Sequence, residues 1–370
     1  MQASVANGRR LAFVVEEFGV PSPAQQLLDR FLVGYPWDGG FRRSQDTRVA
    51  AWLEGGAEGV GELNRRVRDF GLELGSSLPA TVGGADAVLV VWRGSGAVAN
   101  ENLLRRVLEN ARPGAACFVH GVLASNGERA RAWLDLARTR GLRLVAGTTL
   151  GVTWRLPAVD VPADAVVTEA LALVQNPAGD FAGLECLLPR IGRRRGGESG
   201  IRRVRVAEGA AFWQAAEEGA WPSDLLAAAI ARSDTPQSGQ GQDSRLWDIA
   251  GRGLLRDLAR DPRALLLEHH DGLRAAVLVL DGVVDDYNFA VRLTSAETVS
   301  AQVYRPRPPG EHQYSALAAH LEDYLKGGAE PWAPGRGALI ADVLAAAQLS
   351  AARSGEWIAL PGRMDENPLS

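Results

Sequence analysis

Few residues in this chain pair a reactive side chain with a position suited to using it. His120 closes the apolar run from Ala115 to Val119. An imidazole at the end of such a strand suits general acid–base work, because its ordinary pKa lies near neutrality; a structural histidine is the competing reading. Glu185 sits beside Leu184 and Cys186 in an apolar helical run and is the carboxylate expected to work with His120. Asp180 precedes it by about one and a half helical turns, so the two need not share a face. Arg155 offers a planar fork for an anionic substrate, or else an ordinary ion pair. Asn100 and Glu101 follow an apolar strand and read either as ligand contacts or as a helix N-cap with its first-turn acid. Trp154 supplies an aromatic wall beside Arg155.

Other reactive types fall outside a site. His269 and His270 are neighbours on a strand, point to opposite faces, and cannot chelate one metal together. Asp281, Asp285 and Asp286 lack the alternating ligands and closing glutamate of a calcium loop. Ser125 has neither the flanking glycines nor the supporting acid and base of a nucleophile elbow. No metal site is expected. Cys117 and Cys186 lie in apolar runs and read as two buried free thiols.

The elements that must position these residues change character near residue 150. Before it, apolar strands over 11–18, 48–53, 72–74, 85–92, 115–120 and 142–146 alternate with helices over 22–33, 61–70, 100–110 and 128–140. Strands that are apolar throughout and separated by helices predict a parallel sheet covered on both faces, hence a doubly wound, Rossmann-like α/β domain over 1–150. His120 then stands at the carboxyl edge of the sheet, where such folds bind ligands. Longer strands over 165–175, 202–208, 264–270, 273–281, 289–293 and 298–304 follow in hairpin-like succession. They predict an α+β domain with a largely antiparallel open sheet over 151–336, and a C-terminal helix and tail over 337–370 packing back on the body. The segment 233–244, rich in Ser, Gly and Gln, reads as a mobile loop, and 364–370 as a frayed tail.

Composition narrows the class. The chain has 370 residues, 46% of them hydrophobic and 23% charged, with a formal net charge of −4, enough for two packed domains. Its basic groups are nearly all arginine and are spread evenly, so no nucleic-acid partner is expected. The first ten residues lack a signal-peptide core and no apolar run is long enough to span a bilayer, which predicts a cytoplasmic protein without a membrane partner.

A doubly wound domain invites a test for a dinucleotide. Such folds place close-approaching glycines between the first strand and helix, so that backbone amides meet the pyrophosphate. Here the turn reads Glu16-Glu17-Phe18-Gly19-Val20-Pro21-Ser22-Pro23, with Gly19 as its only glycine. Ser22 could hold a phosphate, although an ordinary N-cap is the preferred reading. Glu54, at the end of the second strand, falls where an acid would bind ribose hydroxyls, or is a solvated loop residue. Trp92, at the end of the fourth strand, completes the candidate cofactor set with Gly19, Ser22 and Glu54.

The order of a parallel domain followed by an antiparallel sheet, together with Ala146-Gly147-Thr148-Thr149-Leu150-Gly151-Val152-Thr153-Trp154-Arg155, Arg193-Arg194-Arg195-Gly196-Gly197-Glu198-Ser199-Gly200 and the closing Pro331-Trp332-Ala333-Pro334-Gly335-Arg336, resembles a bacterial branch of the glucose-fructose oxidoreductase and inositol dehydrogenase (Gfo/Idh/MocA) family. The resemblance implies NAD or NADP as cofactor and a sugar- or polyol-like small molecule as ligand. It also implies a catalytic lysine after the fifth strand and an acid–base histidine near the Leu184 helix. The sole lysine of the chain is Lys326, and the matching positions hold Gly121 and Ala182. Two readings follow. One is an oxidoreductase-lineage protein that still binds both molecules in an interdomain cleft, with His120 and Glu185 substituting and Trp37, Trp92 or Trp154 stacking on the sugar. The other is a ligand-binding or scaffold subunit for an active partner enzyme, with a non-redox lyase using His120 as a variant. The family also implies a homo-oligomer, its contact offered by Val277, Val279, Val283, Phe289 and Val291 on the open sheet face.

Overall fold

Alternation of fully apolar strands with amphipathic helices produces the expected layers. The computed structural model describes residues 8–43, 47–55, 59–94, 100–175, 179–234, 249–251, 253–306 and 311–361. Most of the loop expected over 233–244, and the tail over 364–370, lie outside the described residues. The chain divides into two units: residues 1–152 with 306–341, and residues 153–305 with 342–370.

Unit 1 contains β1 (Arg9–Val15), α1 (Pro23–Leu32), the small hairpin β2 (Tyr35–Trp37) and β3 (Gly40–Arg42), β4 (Thr47–Leu53), α2 (Val60–Phe70), β5 (Glu73–Leu74), α3 (Leu78–Val82), β6 (Ala87–Val91), α4 (Glu101–Asn110), β7 (Ala116–His120), α5 (Gly127–Thr139) and β8 (Arg143–Gly147). Its sheet runs β5-β4-β1-β6-β7-β8, and every pairing is parallel. Counting only the strands of this sheet, the order is 3-2-1-4-5-6, the doubly wound order of dinucleotide-binding folds. Side chains alternate along β1, so Ala12 and Val14 pack on the α4 and α5 side while Leu11, Phe13 and Val15 pack on the α1 side.

The domain boundary differs from the sequence expectation, which assigned 151–336 to the second domain and 337–370 to a tail. Residues 306–341 group with unit 1. The reason is α10 (Gln313–Leu325), whose Leu317, Leu321 and Tyr324 share a core with Leu27, Leu28 and Phe31 of α1. The Tyr324 hydroxyl bonds the carbonyls of Cys117 and Arg143 at 3.1 and 2.7 Å, tying this helix to β7 and β8. Both cysteines are free and buried, and burial pushes each thiol up to about 12.

Unit 2 is built on β9 (Arg155–Leu156), β10 (Val167–Val174), α6 (Gly179–Ile191), β11 (Ile201–Glu208), α7 (Ala210–Glu217), α8 (Ser223–Ile230), α9 (Leu255–Leu258), β12 (Arg260–His269), β13 (Arg274–Asp281), β14 (Tyr287–Leu293) and β15 (Thr298–Val303). The helix α11 (Gly335–Ala352) crosses the division of the chain, and β16 (Ile358–Ala359) closes the second sheet. That sheet runs β16-β11-β12-β13-β10-β14-β15-β9, with only β10 and β13 parallel.

Helices cover both faces of this sheet. On one, α6 packs against β10, β13 and β14, so closely that a Cβ on Gly183 would collide with Val277. On the other, Phe212, Trp221, Leu225 and Ile230 of the 210–230 segment join Leu171, Leu266, Leu278 and Ala290 in one core. The five residues offered above as an oligomer contact, Val277, Val279, Val283, Phe289 and Val291, are all buried within a single chain. Val277 and Phe289 are met by α6 and Val283 lies in the core with α7 and α8, and with that cover falls the argument that this face requires a second subunit. No described helix is long and apolar enough to cross a membrane.

Candidate functional site

Glu16, Glu54, Trp92, His120 and Gly147 end or follow parallel strands of unit 1 and so mark the edge where doubly wound folds take ligands. What they do there is decided by their partners. Glu16 accepts from the Arg93 amide at 3.1 Å and from Asn100 Nδ2 at 2.9 Å, bridging the end of β1 to the segment after β6. Glu17 pairs with Arg93 at 2.9 Å. Glu54 takes the Trp52 indole N–H at 2.9 Å and an Arg106 guanidinium. Asn100 caps α4 by accepting from the Leu103 amide, as the alternative reading had it. Glu101 accepts from the Ser125 amide and hydroxyl and from Arg129 Nε. Partial burial opposes ionisation of Glu101, but these bonds outweigh it and hold its pKa below the ordinary value. Among the described residues, four carboxylates at this edge face three guanidinium groups, those of Arg93, Arg106 and Arg129.

The β1–α1 turn is closed from within. Phe18 is 2% exposed, part of the unit 1 core, with the Arg66 guanidinium stacked 4.9 Å from its ring centroid. Gly59 lies so close to the Phe18 backbone that any side chain there would collide with it. Ser22 Oγ accepts from the Gln25 amide at 3.1 Å, and Pro23 at the first helical position has no N–H to offer. Gly19 has open space where a Cβ would stand, so it makes no close approach there. Trp92 is 1% exposed, its indole N–H bound to the Val122 carbonyl at 2.9 Å. A pyrophosphate needs free helix-terminal amides and a neutral or positive cradle. These residues do not fit a dinucleotide in the seat the fold would give it.

His120 is 1% exposed, and among the described residues neither ring nitrogen has a hydrogen-bond partner. Its ring lies 6.5 Å from that of Phe118 and 6.0 Å from that of Tyr314 on α10. Burial pushes the imidazole down to about 4, so it is a neutral group enclosed by aromatic rings. Gly121, at the position where the resemblance implies a lysine, has φ +118° and donates its amide to Gly147 at 3.1 Å. A lysine there would carry backbone strain.

The candidates in unit 2 are drawn into its own framework. Glu185 is fully buried on α6. Asp180 forms an ion pair with Arg263 of β12 at 2.6 Å, and Glu208 completes the group. Arg155 donates to the Thr153 carbonyl and pairs with Asp160 at 3.3 Å. Trp154 is 40% exposed, and its carbonyl accepts from the Tyr304 amide. The run of glycines and charges over 193–200 folds into a knot. Gly196, Gly197 and Gly200 take positive φ, which lets Arg194 turn inward to reach Asp271 at 2.8 Å and Ser199 at 3.1 Å, while Glu198 meets His269 Nδ1 at 3.0 Å. Sequence reasoning passed over Arg202, Arg203 and Arg274, which line a concavity at one end of this sheet. Their pattern shows only once the strand register is known.

No family model matches the chain, and no curated protein does. Solved structures do. The chain is similar to GenD2 from gentamicin A biosynthesis, solved with NAD, at 14% identity over 97% of this chain and 98% of that one, with a TM-score of 0.60. It is similar to the myo-inositol dehydrogenase of Lactobacillus casei, solved with NAD(H) and myo-inositol, at 14% identity over 97% and 99% of the two chains and a TM-score of 0.58. A putative myo-inositol dehydrogenase of Sinorhizobium meliloti follows at 15% identity, 95% and 100% coverage and 0.57. The fold is that of the Gfo/Idh/MocA-type dehydrogenases. It extends over both units and joins a Rossmann-like domain to a mixed, mostly antiparallel sheet.

Proposed function

We propose that this chain uses the dehydrogenase fold as a ligand-binding or scaffold protein and does not carry out hydride transfer from NAD or NADP held in the usual seat. The observation that carries this reading is Glu16: a carboxylate anchored by the Arg93 amide and Asn100 lies where a dinucleotide fold needs an anion cradle. Phe18, buried in the β1–α1 turn, adds steric closure to the charge conflict. His120 does not restore the chemistry, since a general base must come within hydrogen-bond reach of its proton and this imidazole is walled in. The ligand class consistent with the fold is a sugar- or polyol-like molecule, of the kind bound by the Lactobacillus casei protein. An active enzyme is the partner such a scaffold would serve, and no step in this reading needs a second copy of the chain.

Calorimetric titration with NAD(H) and NADP(H), after mass spectrometry for a dinucleotide retained through purification, tests it. The expected result is no retained cofactor and no saturable heat. Micromolar binding of either dinucleotide overturns the proposal and returns the chain to the oxidoreductases.

A further inference from the structure

One end of the second sheet carries a row of charge that no part of the reading above uses. Arg203 of β11 stands opposite Glu268 of β12, Glu268 opposite Arg274 of β13, Arg274 opposite Glu169 of β10, and Glu169 opposite Arg292 of β14. Five residues in one line across five strands therefore alternate in sign. Directly opposed strand residues lie within side-chain contact; Glu169 is clasped from both sides, while Glu268 is held from the β11 side. Glu169 pairs with Arg274 and, at 2.9 Å, with Arg292, which also meets Asp224 at 2.6 Å. Glu268 accepts Arg203 in fork geometry at 2.6 and 2.7 Å and takes a further bond from Arg202.

The row ends on the positive side. A concavity of about 310 Å³ opens there, lined by Arg202, Arg203, Arg274, Glu268, His269 and His270. Three guanidinium groups and one carboxylate line it, and Arg274 also pairs with Glu169, which leaves a local excess of one positive charge. The floor is pre-set: Arg203 stacks 4.4 Å from the Trp357 ring centroid and grips Glu268 with two bonds. His269 is 2% exposed, with Nδ1 on Glu198 and an Nε2 that has no partner among the described residues. His270 stands exposed on the rim, beside Gly200.

The geometry points to an anion site here, for a small molecule bearing a phosphoryl group. A phosphoryl group carries about −1.5 to −2 charge at neutral pH, opposite in sign to the local excess, and its tetrahedral oxygens suit convergent guanidinium donors. The space lies at the lower end of the roughly 300–1,000 Å³ of small-molecule pockets, so it admits a small organic part beside the phosphate. Arg202 and Arg274 are each 57% exposed, so they can turn to a ligand without breaking a core.

Calorimetry on the full chain in low-salt, phosphate-free buffer tests this with inorganic phosphate, glycerol 3-phosphate and glycerol. Saturable binding of both phosphates, none of glycerol, and a loss of about tenfold in affinity for Arg202→Ala and for Arg274→Ala are expected. Inorganic phosphate without the ester would assign the site to the free anion; tighter binding of the ester would assign it to a metabolite. Arg138→Ala, on a surface helix of unit 1, should leave binding unchanged. Arg202 lies outside the charged row, at the irregularity in β11 between Ile201 and Arg203, so its variant keeps the test valid where Arg274→Ala weakens the fold. Absence of saturable binding by both phosphates, or binding that both alanine variants leave intact, overturns the inference.

Discussion

The rims of the two sheets distribute charge in opposite ways. At the carboxyl edge of unit 1, Glu16, Glu17, Glu54 and Glu101 outnumber Arg93, Arg106 and Arg129, and the pairs close on one another. At the end of the unit 2 sheet, Arg202, Arg203 and Arg274 outnumber their partners Glu268 and Glu169 and surround open space. A doubly wound fold ordinarily binds anions at the first of these edges. In this chain the excess of cations lies at the second. Fold therefore locates where a ligand could sit, while the local balance of charge and the freedom of donors decide whether one can.

The same contrast makes the unit 1 edge part of the core. Phe18→Ala should destabilise the protein by about 3–5 kcal/mol, the range for emptying a buried aromatic site, without creating dinucleotide binding. Chemical denaturation and a repeat of the NAD(H) titration measure the two halves of that statement. A small stability loss accompanied by new NAD(H) affinity would mean that the turn is a gated seat and not a structural plug.

His120 provides the next largest effect. Its folded-state pKa is depressed from 6.5 to about 4, so the unfolded chain takes up the proton first. Its contribution is fully present above pH 6.5 and is lost as pH falls toward 4, amounting to about 3 kcal/mol over that window. Urea midpoints measured across the range should show the decline, and His120→Phe should flatten it. An unchanged slope in that variant would show that the imidazole is not the enclosed neutral group described.

The smallest effect belongs to the partly exposed row in unit 2. Glu169→Gln should cost about 0.5–1 kcal/mol and lose part of that cost at high salt, because the partly exposed arginine partners leave the pairs open to screening. A salt-independent loss would imply a desolvated ladder and a floor too rigid to accept a new anion.

Much of the fold was legible in the sequence. Fully apolar strands such as Val88 to Val91 and Cys117 to Val119 declared the parallel sheet, because only burial on both faces tolerates that pattern. The turn from Glu16 to Pro23 already argued against a pyrophosphate, since missing glycines and amides are local facts. Asn100 as an N-cap and Arg155 in an ion pair were alternatives open in the sequence, and short-range contacts realise both. The sequence could not show that His120 would be enclosed, because Tyr314 comes from a helix almost two hundred residues downstream. Nor could it show that α7 and α8 cover the second sheet, as an apolar helix carries no label for the face it will meet. The charged row is the clearest case: each member is an ordinary arginine or glutamate along its own strand, and strand register alone sets them in line. Sequence by itself determined the layers and the loss of the phosphate turn through patterns a few residues long; tertiary structure decided which charges meet, because that depends on distances between segments far apart in the chain.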